Sequence, residues 1–301
     1  MNLVVTGGRG FIGSHFVEYA LEMGCRVTDI DKMTYASSET LSFDSNSNYS
    51  LIKKDISDLT HIPPCDAVIN FAAESHVDNS IAGPMTFFKS NTNGVFNLLE
   101  LIRGKIYNRP LFFHISTDEV YGDIRGKDSV ETDALNPGNP YSASKAAAEM
   151  FVLAYNRTYG IDFLMTRSSN NYGPRQYPEK LIPQIIHSLK NNKKIPIHGD
   201  GSYIRDWIDV RENVKAIYHL LVNGKRNEIY NISSNNHLTN LEVVQQVCKW
   251  YNIENYMEHI EFVPNRLGQD TRYSISSDKL KSTGFVMEEA NGLKNFDDST
   301  F

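Results

Sequence analysis

The chain has 301 residues, 41% hydrophobic and 22% charged, which is the composition of an ordinary enzyme with enough length for one large core or two modest ones. A formal net charge of -6 argues against nucleic acid or an anionic membrane as the main partner. Cys25, Cys65 and Cys248 are too few and too far apart for a disulfide framework or a metal site, and they read as reduced thiols. No apolar run approaches the ~18 residues that cross a bilayer. The first strand is expected almost at Met1, with no room for a leader, so the expectation is a cytoplasmic protein.

In chain order, Asn2–Thr6 reads as a strand, followed by a Gly-rich turn and a helix from about Ile12 to Met23. Further strands are expected at Arg26–Ile30, Ser50–Lys53, Ala67–Phe71, Leu111–Ser116 and Asp162–Thr166. The Ser- and Asn-rich stretch Ser37–Ser50 reads as a surface loop. Longer helical patterns cover Met85–Arg103 and Tyr141–Tyr159. Strands alternating with helices predict an α/β fold with a doubly wound parallel sheet of the Rossmann kind. From Ser168 onward, Pro174, Pro178, Pro183 and Pro196 break the pattern into a smaller C-terminal lobe. The expected division is a dinucleotide-binding domain over 1–167, with a return near Trp207–Ile232, and a lobe over 168–205 and 233–301.

Gly7, Gly10 and Gly13 lie in Thr6-Gly7-Gly8-Arg9-Gly10-Phe11-Ile12-Gly13, between a strand and a helix. Glycines there let the backbone approach a pyrophosphate, which the helix N-terminus attracts. Asp31 ends the next strand at the spacing of a ribose contact. Its carboxylate accepts from ribose hydroxyls and repels an added phosphate, so NAD is expected over NADP. Small Ala72 and Ala73 would let the cofactor lie close to the end of the fourth strand. The nearby Glu74, His76 and Asp78 lack a second cluster to complete a metal site, and His76 reads as a satisfied polar residue.

Ser116-Thr117-Asp118-Glu119-Val120-Tyr121-Gly122 and Tyr141-Ser142-Ala143-Ser144-Lys145 carry the chemistry. A Tyr and a Lys four residues apart share a helix face, where the ammonium, helped by a nearby nicotinamide charge, is expected to favour the phenolate. A base poised near neutrality needs a shift of about 3 units, or about 4 kcal/mol. Asp118 and Glu119 leave their strand in different directions, which suits an acid and a base on neighbouring carbons. Arg205 and Arg266 could clamp a diphosphate.

Together these residues resemble the extended short-chain dehydrogenase/reductase superfamily. Within it the chain is most similar to the nucleoside-diphosphate-glucose 4,6-dehydratases, above all the dTDP-glucose 4,6-dehydratases of the rhamnose pathway. The likeness runs from Val5 to about Phe285, and its most specific string is Thr-Asp-Glu-Val-Tyr-Gly. It implies oxidation at carbon 4 of the sugar, loss of water across carbons 5 and 6, and hydride return to carbon 6. Tyr141 would take the 4-hydroxyl proton, Thr117 would bond the same oxygen and Lys145 would tune the Tyr. Glu119 would act as base at carbon 5, and Asp118 as acid toward the 6-hydroxyl.

The same likeness places Phe11, Ile12, Lys32, Thr34, Asp55, Ile56, Ser75 and Ser90 around NAD, beside the glycines, Asp31, Ala72, Ala73, Tyr141 and Lys145. It places Ser75, Thr117, Asn170, Lys180, Leu181, Pro196, His198, Arg205, Asn240 and Arg266 around a nucleoside-diphosphate sugar, and implies no metal and a homodimer built on the helices over 85–103 and 141–159. Leu267-Gly268-Gln269 departs from the Pro-Gly-His that the family often carries. A UDP-glucose 4,6-dehydratase shares most of these motifs, and a nucleotide-sugar 4-epimerase or decarboxylase shares the scaffold.

Overall fold

A computed structural model describes residues 1–105, 107–124, 126–288 and 292–295. It begins with β1 (Asn2–Thr6), α1 (Phe11–Glu22), β2 (Arg26–Asp31), β3 (Tyr49–Lys53) and β4 (Ala67–Asn70). Then come α2 (Val77–Ala82), α3 (Pro84–Phe87), α4 (Gly94–Arg103), β5 (Leu111–Thr117), α5 (Pro140–Tyr159) and β6 (Phe163–Ser168). The later part holds β7 (Asn170–Tyr172), α6 (Leu181–Lys190), β8 (Ile195–His198), β9 (Ile204–Asp209), α7 (Val210–Asn223) and β10 (Glu228–Ile232). It continues with β11 (His237–Thr239), α8 (Asn240–Trp250), β12 (Ile260–Val263) and α9 (Asp278–Lys281).

The strands β10-β6-β5-β4-β1-β2-β3 form one sheet in that order, and every pairing in it is parallel. Alternation along each strand sends side chains to opposite faces. Leu3, Val5, Phe113 and Ile115 pack with Phe16 and Val17 of α1 and with Ile217 and Leu220 of α7. Val4, Val68 and Phe112 pack instead with Leu98 and Leu99 of α4 and Val152 of α5. This is the doubly wound parallel sheet that the alternating pattern predicts.

A third core gathers Ile182 and Ile185 of α6, Ile195 and Ile197 of β8, and Val243 and Val247 of α8. The expected return to the main sheet is carried by β10, which pairs with β6. Trp207 does not take part in it: β9 pairs with β7 and β11 in a separate three-stranded sheet. The helix expected over 85–103 is also interrupted. Between α3 and α4 the chain widens into a π-helix, Phe88–Asn93. There Asn91 accepts from the Glu74 N–H at 2.8 Å and donates to the Glu74 carbonyl at 2.9 Å and to Ser144 Oγ at 2.9 Å.

The stretch over 37–50 is a loop up to the start of β3, and Arg9 anchors it. The Arg9 guanidinium, 1% exposed, donates to the carbonyls of Ser38 at 2.9 Å and Glu39 at 2.6 Å and pairs with Asp44. The three cysteines are free, and among the described residues no helix is long and apolar enough to cross a membrane.

Candidate active site

Two cavities meet at the carboxyl ends of the parallel strands, where open sheets of this kind bind ligands. The first, of ≈ 220 Å³, is lined by every residue expected around the cofactor. At one end stand Asp31, Asp55 and Ile56, from the β2 and β3 side of the sheet; at the other stand Tyr141, Lys145 and Ser116, from α5 and β5. Gly7 has a φ of 73°, and a Cβ there would lie 2.7 Å from the Ala72 nitrogen, so only glycine lets the β1 turn pack on the end of β4. The N-terminus of α1 carries no side-chain cap and no acidic residue in its first turn, which leaves N–H groups facing the cavity for an anion.

Asp31 accepts from the Arg9 N–H at 3.0 Å, the Met33 N–H at 2.8 Å and Ser37 Oγ at 3.0 Å, so its carboxylate is fixed at the cavity wall. Lys32 turns away from it: its ammonium lies 2.9 Å from Glu74 and 4.0 Å from Asp55. The donor set therefore fits a dinucleotide, with a glycine turn and bare helix end for a pyrophosphate and a held carboxylate for ribose hydroxyls.

The second cavity, of ≈ 180 Å³, is lined by Ser75, Asn170, Lys180, Leu181, Pro196, His198, Arg205, Asn240 and Arg266, all expected around the substrate. Thr117 was expected with them and lines neither cavity. The N-terminus of α6, just after Lys180, has no side-chain cap, which suits a phosphate. Lys180 is shared by both cavities and donates to the Ser75 carbonyl at 2.8 Å. Arg266 pairs with Asp78 at 3.1 Å. His76 caps α2, its Nδ1 accepting from the Asn79 N–H at 3.4 Å, as a satisfied polar residue would.

The reactive groups stand at the junction. Thr117 Oγ1 donates to Asp118 Oδ1 at 3.3 Å and accepts from the Glu119 N–H at 3.3 Å. The turn that carries them closes on Gly122, whose φ is 74° and where a Cβ would sit 2.0 Å from the Asn136 carbonyl oxygen. Glu119 faces the second cavity and Asp118 lies beneath the surface, 2% exposed, with Oδ2 unpartnered among the described residues. Burial, then the Glu119 charge, pushes the Asp118 carboxyl well above the usual carboxylate range, so it holds its proton. Burial also raises Glu119, against the pull of Arg205 and Lys180.

Helix α5 delivers Tyr141 and Lys145. Asn139 caps it by accepting from the Ser142 N–H at 2.9 Å. Asn139 also lines the second cavity with Glu119, a place sequence reasoning did not assign to it. In the protein alone, burial and then the Glu119 charge push the Tyr141 phenol up, so the expected phenolate calls on the nicotinamide charge as well as on Lys145. The ammonium of Lys145 donates to the Ile115 carbonyl at 2.6 Å, and burial lowers it to about 8 against the opposing charge of Glu149.

Sequence reasoning also missed Tyr273, Asp270 and Gln176. Arg205 stacks over the Tyr273 ring at 4.1 Å and donates to the Asp270 carbonyl at 2.8 Å, beside the acidic pair. The string Asp270-Thr271-Arg272-Tyr273 is polar enough to flag, but no spacing rule links it to Arg205.

The family model described as GDP-mannose 4,6 dehydratase matches residues 4–285. The chain belongs to this family. Among its relatives is the low-salt glycan biosynthesis protein Agl12 of Haloferax volcanii, 41% identical, with 96% of this chain and 94% of that protein covered. The dTDP-glucose 4,6-dehydratase of Neisseria gonorrhoeae is 41% identical over 93% of this chain and 89% of its own. The solved structure of the dTDP-glucose 4,6-dehydratase DesIV from Streptomyces venezuelae, with NAD bound, superposes with a TM-score of 0.92 at 36% identity, covering 97% of this chain and 93% of that one. The sequence resemblance to the 4,6-dehydratases is thereby borne out.

Proposed function

We propose that this chain is an NAD-dependent hydro-lyase that converts a nucleoside-diphosphate-glucose, dTDP-glucose foremost, to its 4-keto-6-deoxy sugar. One observation carries the reading: Thr117, Asp118, Glu119, Tyr141 and Lys145 converge where a dinucleotide-shaped cavity meets a second cavity fit for a nucleotide sugar. The relatives named dTDP-glucose 4,6-dehydratase support it, as does the NAD in the DesIV structure.

NAD, when bound, supplies the acceptor for the hydride of carbon 4 and its donor to carbon 6, and brings a positive charge to the cavity. Tyr141 takes the proton of the 4-hydroxyl, with Thr117 bonding the same oxygen. Lys145 holds its ammonium at the floor of the site through Ile115. Once carbon 4 is a ketone, the proton on carbon 5 is acidic and Glu119 removes it, giving it back to carbon 5 when the hydride reaches carbon 6. Asp118, kept protonated by burial, delivers its proton to the departing 6-hydroxyl. Arg205, Lys180 and Arg266, with the bare start of α6, hold the diphosphate.

The reading extends to a cytoplasmic homodimer with no nucleic-acid or membrane partner. Met85, Phe88, Phe96, Met150 and Phe151 are exposed on the α3–α4 segment and α5, an apolar strip that a second copy would cover. Sedimentation at micromolar concentration tests the dimer, and a mass equal to one chain would reject it. Mass spectrometry after incubation with dTDP-glucose and UDP-glucose tests the activity. Loss of one water from dTDP-glucose is expected. An unchanged mass with a rearranged sugar would make the protein an epimerase.

A further inference from the structure

The segment after β7 carries a side chain that the chemistry above leaves unused. Gln176 is 8% exposed and stands in the wall shared by both cavities. Its Nε2 donates to the Asn171 carbonyl at 2.9 Å. A backbone carbonyl only accepts, so the nitrogen end of the amide is fixed by its partner and the oxygen end by elimination. That oxygen, Oε1, is buried without a hydrogen-bond partner among the described residues. The segment itself is pinned: neighbouring Arg175 pairs with Glu18 of α1 at 2.7 Å, and the Gln176 N–H bonds the Gly173 carbonyl at 3.3 Å. A rigid, buried acceptor with nothing to accept from is costly unless a ligand supplies the donor.

We propose that Gln176 Oε1 receives an N–H of the carboxamide of a nicotinamide dinucleotide, and so sets which face of the ring turns toward the substrate cavity. This rests on the cavity's reading as an NAD site. Gln176 lines both cavities and so stands where the first opens onto the second, while its neighbour Tyr177 packs on Tyr35 and its neighbour Arg175 on α1. A dinucleotide laid with its adenosine ribose at Asp31 has its nicotinamide at the Tyr141 and Lys145 end, beside the substrate cavity, and the carboxamide is the N–H donor of that ring. Gln176 is thus a positioning residue, not one that touches the transferred atoms.

The test uses full-length protein stripped of nucleotide, as wild type and as Gln176→Met, which keeps the side chain's length but removes the acceptor. Each is titrated with NAD, with 3-acetylpyridine adenine dinucleotide, whose methyl ketone has no N–H, and with ADP-ribose, which has no ring. Wild type is expected to prefer NAD over the ketone by about tenfold to a hundredfold. In Gln176→Met that preference should collapse toward unity while ADP-ribose binds equally to both proteins. The same NAD preference in both proteins would overturn the assignment. So would a parallel loss of ADP-ribose binding, which marks a scaffold role, or a raised KM for the nucleotide sugar with cofactor preference intact, which moves the acceptor to a sugar hydroxyl. Failure of the wild type to bind any of the three would overturn the cofactor reading itself.

Discussion

The ammonium of Lys145 donates to the carbonyl of Ile115 at 2.6 Å, inside the strand that ends in Thr117. The lysine is therefore anchored to the sheet, and Tyr141 remains a protonated phenol until charge arrives in the neighbouring cavity. Removing the phenol oxygen leaves the first proton without an acceptor. Tyr141→Phe is expected to lower turnover by roughly a hundredfold to ten-thousandfold. Ketosugar formed at an appreciable fraction of the wild-type rate would show that another group is the base.

Glu119→Gln separates the two halves of the chemistry. The amide cannot take the carbon-5 proton, while Tyr141 and Lys145 are untouched. Oxidation at carbon 4 should proceed and elimination should stall, so the absorbance of reduced nicotinamide should accumulate on mixing with substrate. Normal turnover by this variant would rule out Glu119 as the base.

The pH profile follows from the same groups. Glu119 must be ionised to act, and burial raises its carboxyl, so activity climbs as pH rises through that raised value. Lys145 is lowered to about 8, so its charge is present below that value and is lost as pH rises through it. The expected rate profile is a bell whose decline sets in near pH 8. A rate still climbing well above that point would contradict the assignments.

Much of this site was legible in the sequence, and what was hidden has physical causes. The Gly7–Gly13 turn and the Thr117–Gly122 string announce themselves because backbone geometry allows few other residues there. The π-turn at Phe88–Asn93 was not legible: one extra residue per turn leaves the apolar pattern of a helix almost intact, and only the bonds of Asn91 reveal it. The Tyr141–Lys145 spacing put both residues on one helix face, and they line one cavity, but neither the burial of the phenol nor the Ile115 carbonyl that holds the lysine can be read from spacing. Gln176 belongs to no spacing rule, and its role comes from which end of its amide the fold leaves over.

Cofactor choice should favour NAD. A 2′-phosphate would meet the fixed carboxylate of Asp31, while Lys32 is engaged by Glu74 and the buried Arg9 by Asp44. An unfavourable contact of this kind is worth about 1–3 kcal/mol, or roughly tenfold to a hundredfold in affinity. Titration of nucleotide-free protein with each cofactor checks it, and NADP binding as tight as NAD would remove Asp31 from this role.

Asp29 gives a stability prediction. It is buried under the glycine turn, accepting from the Gly8 N–H at 2.9 Å and from Tyr49 at 3.0 Å. Burial, then the charge of Asp31, pushes its carboxyl from 3.8 up to about 7. A raised carboxyl stabilises the fold while protonated, so this contribution is full below about pH 4 and is lost as pH rises to about 7. Three units correspond to about 4 kcal/mol. Denaturant unfolding of Asp29→Asn, compared with wild type across that range, should show the variant gaining in relative stability as pH rises. A constant difference would refute the buried, protonated Asp29.

Oxidation, elimination and reduction occur on one sugar within one site. The direct test is dTDP-glucose carrying deuterium on carbon 4, followed by mass spectrometry and NMR of the product. The expected product is lighter by one water, with the deuterium now on carbon 6. A label left on carbon 4, or lost to solvent or to free cofactor, would contradict it.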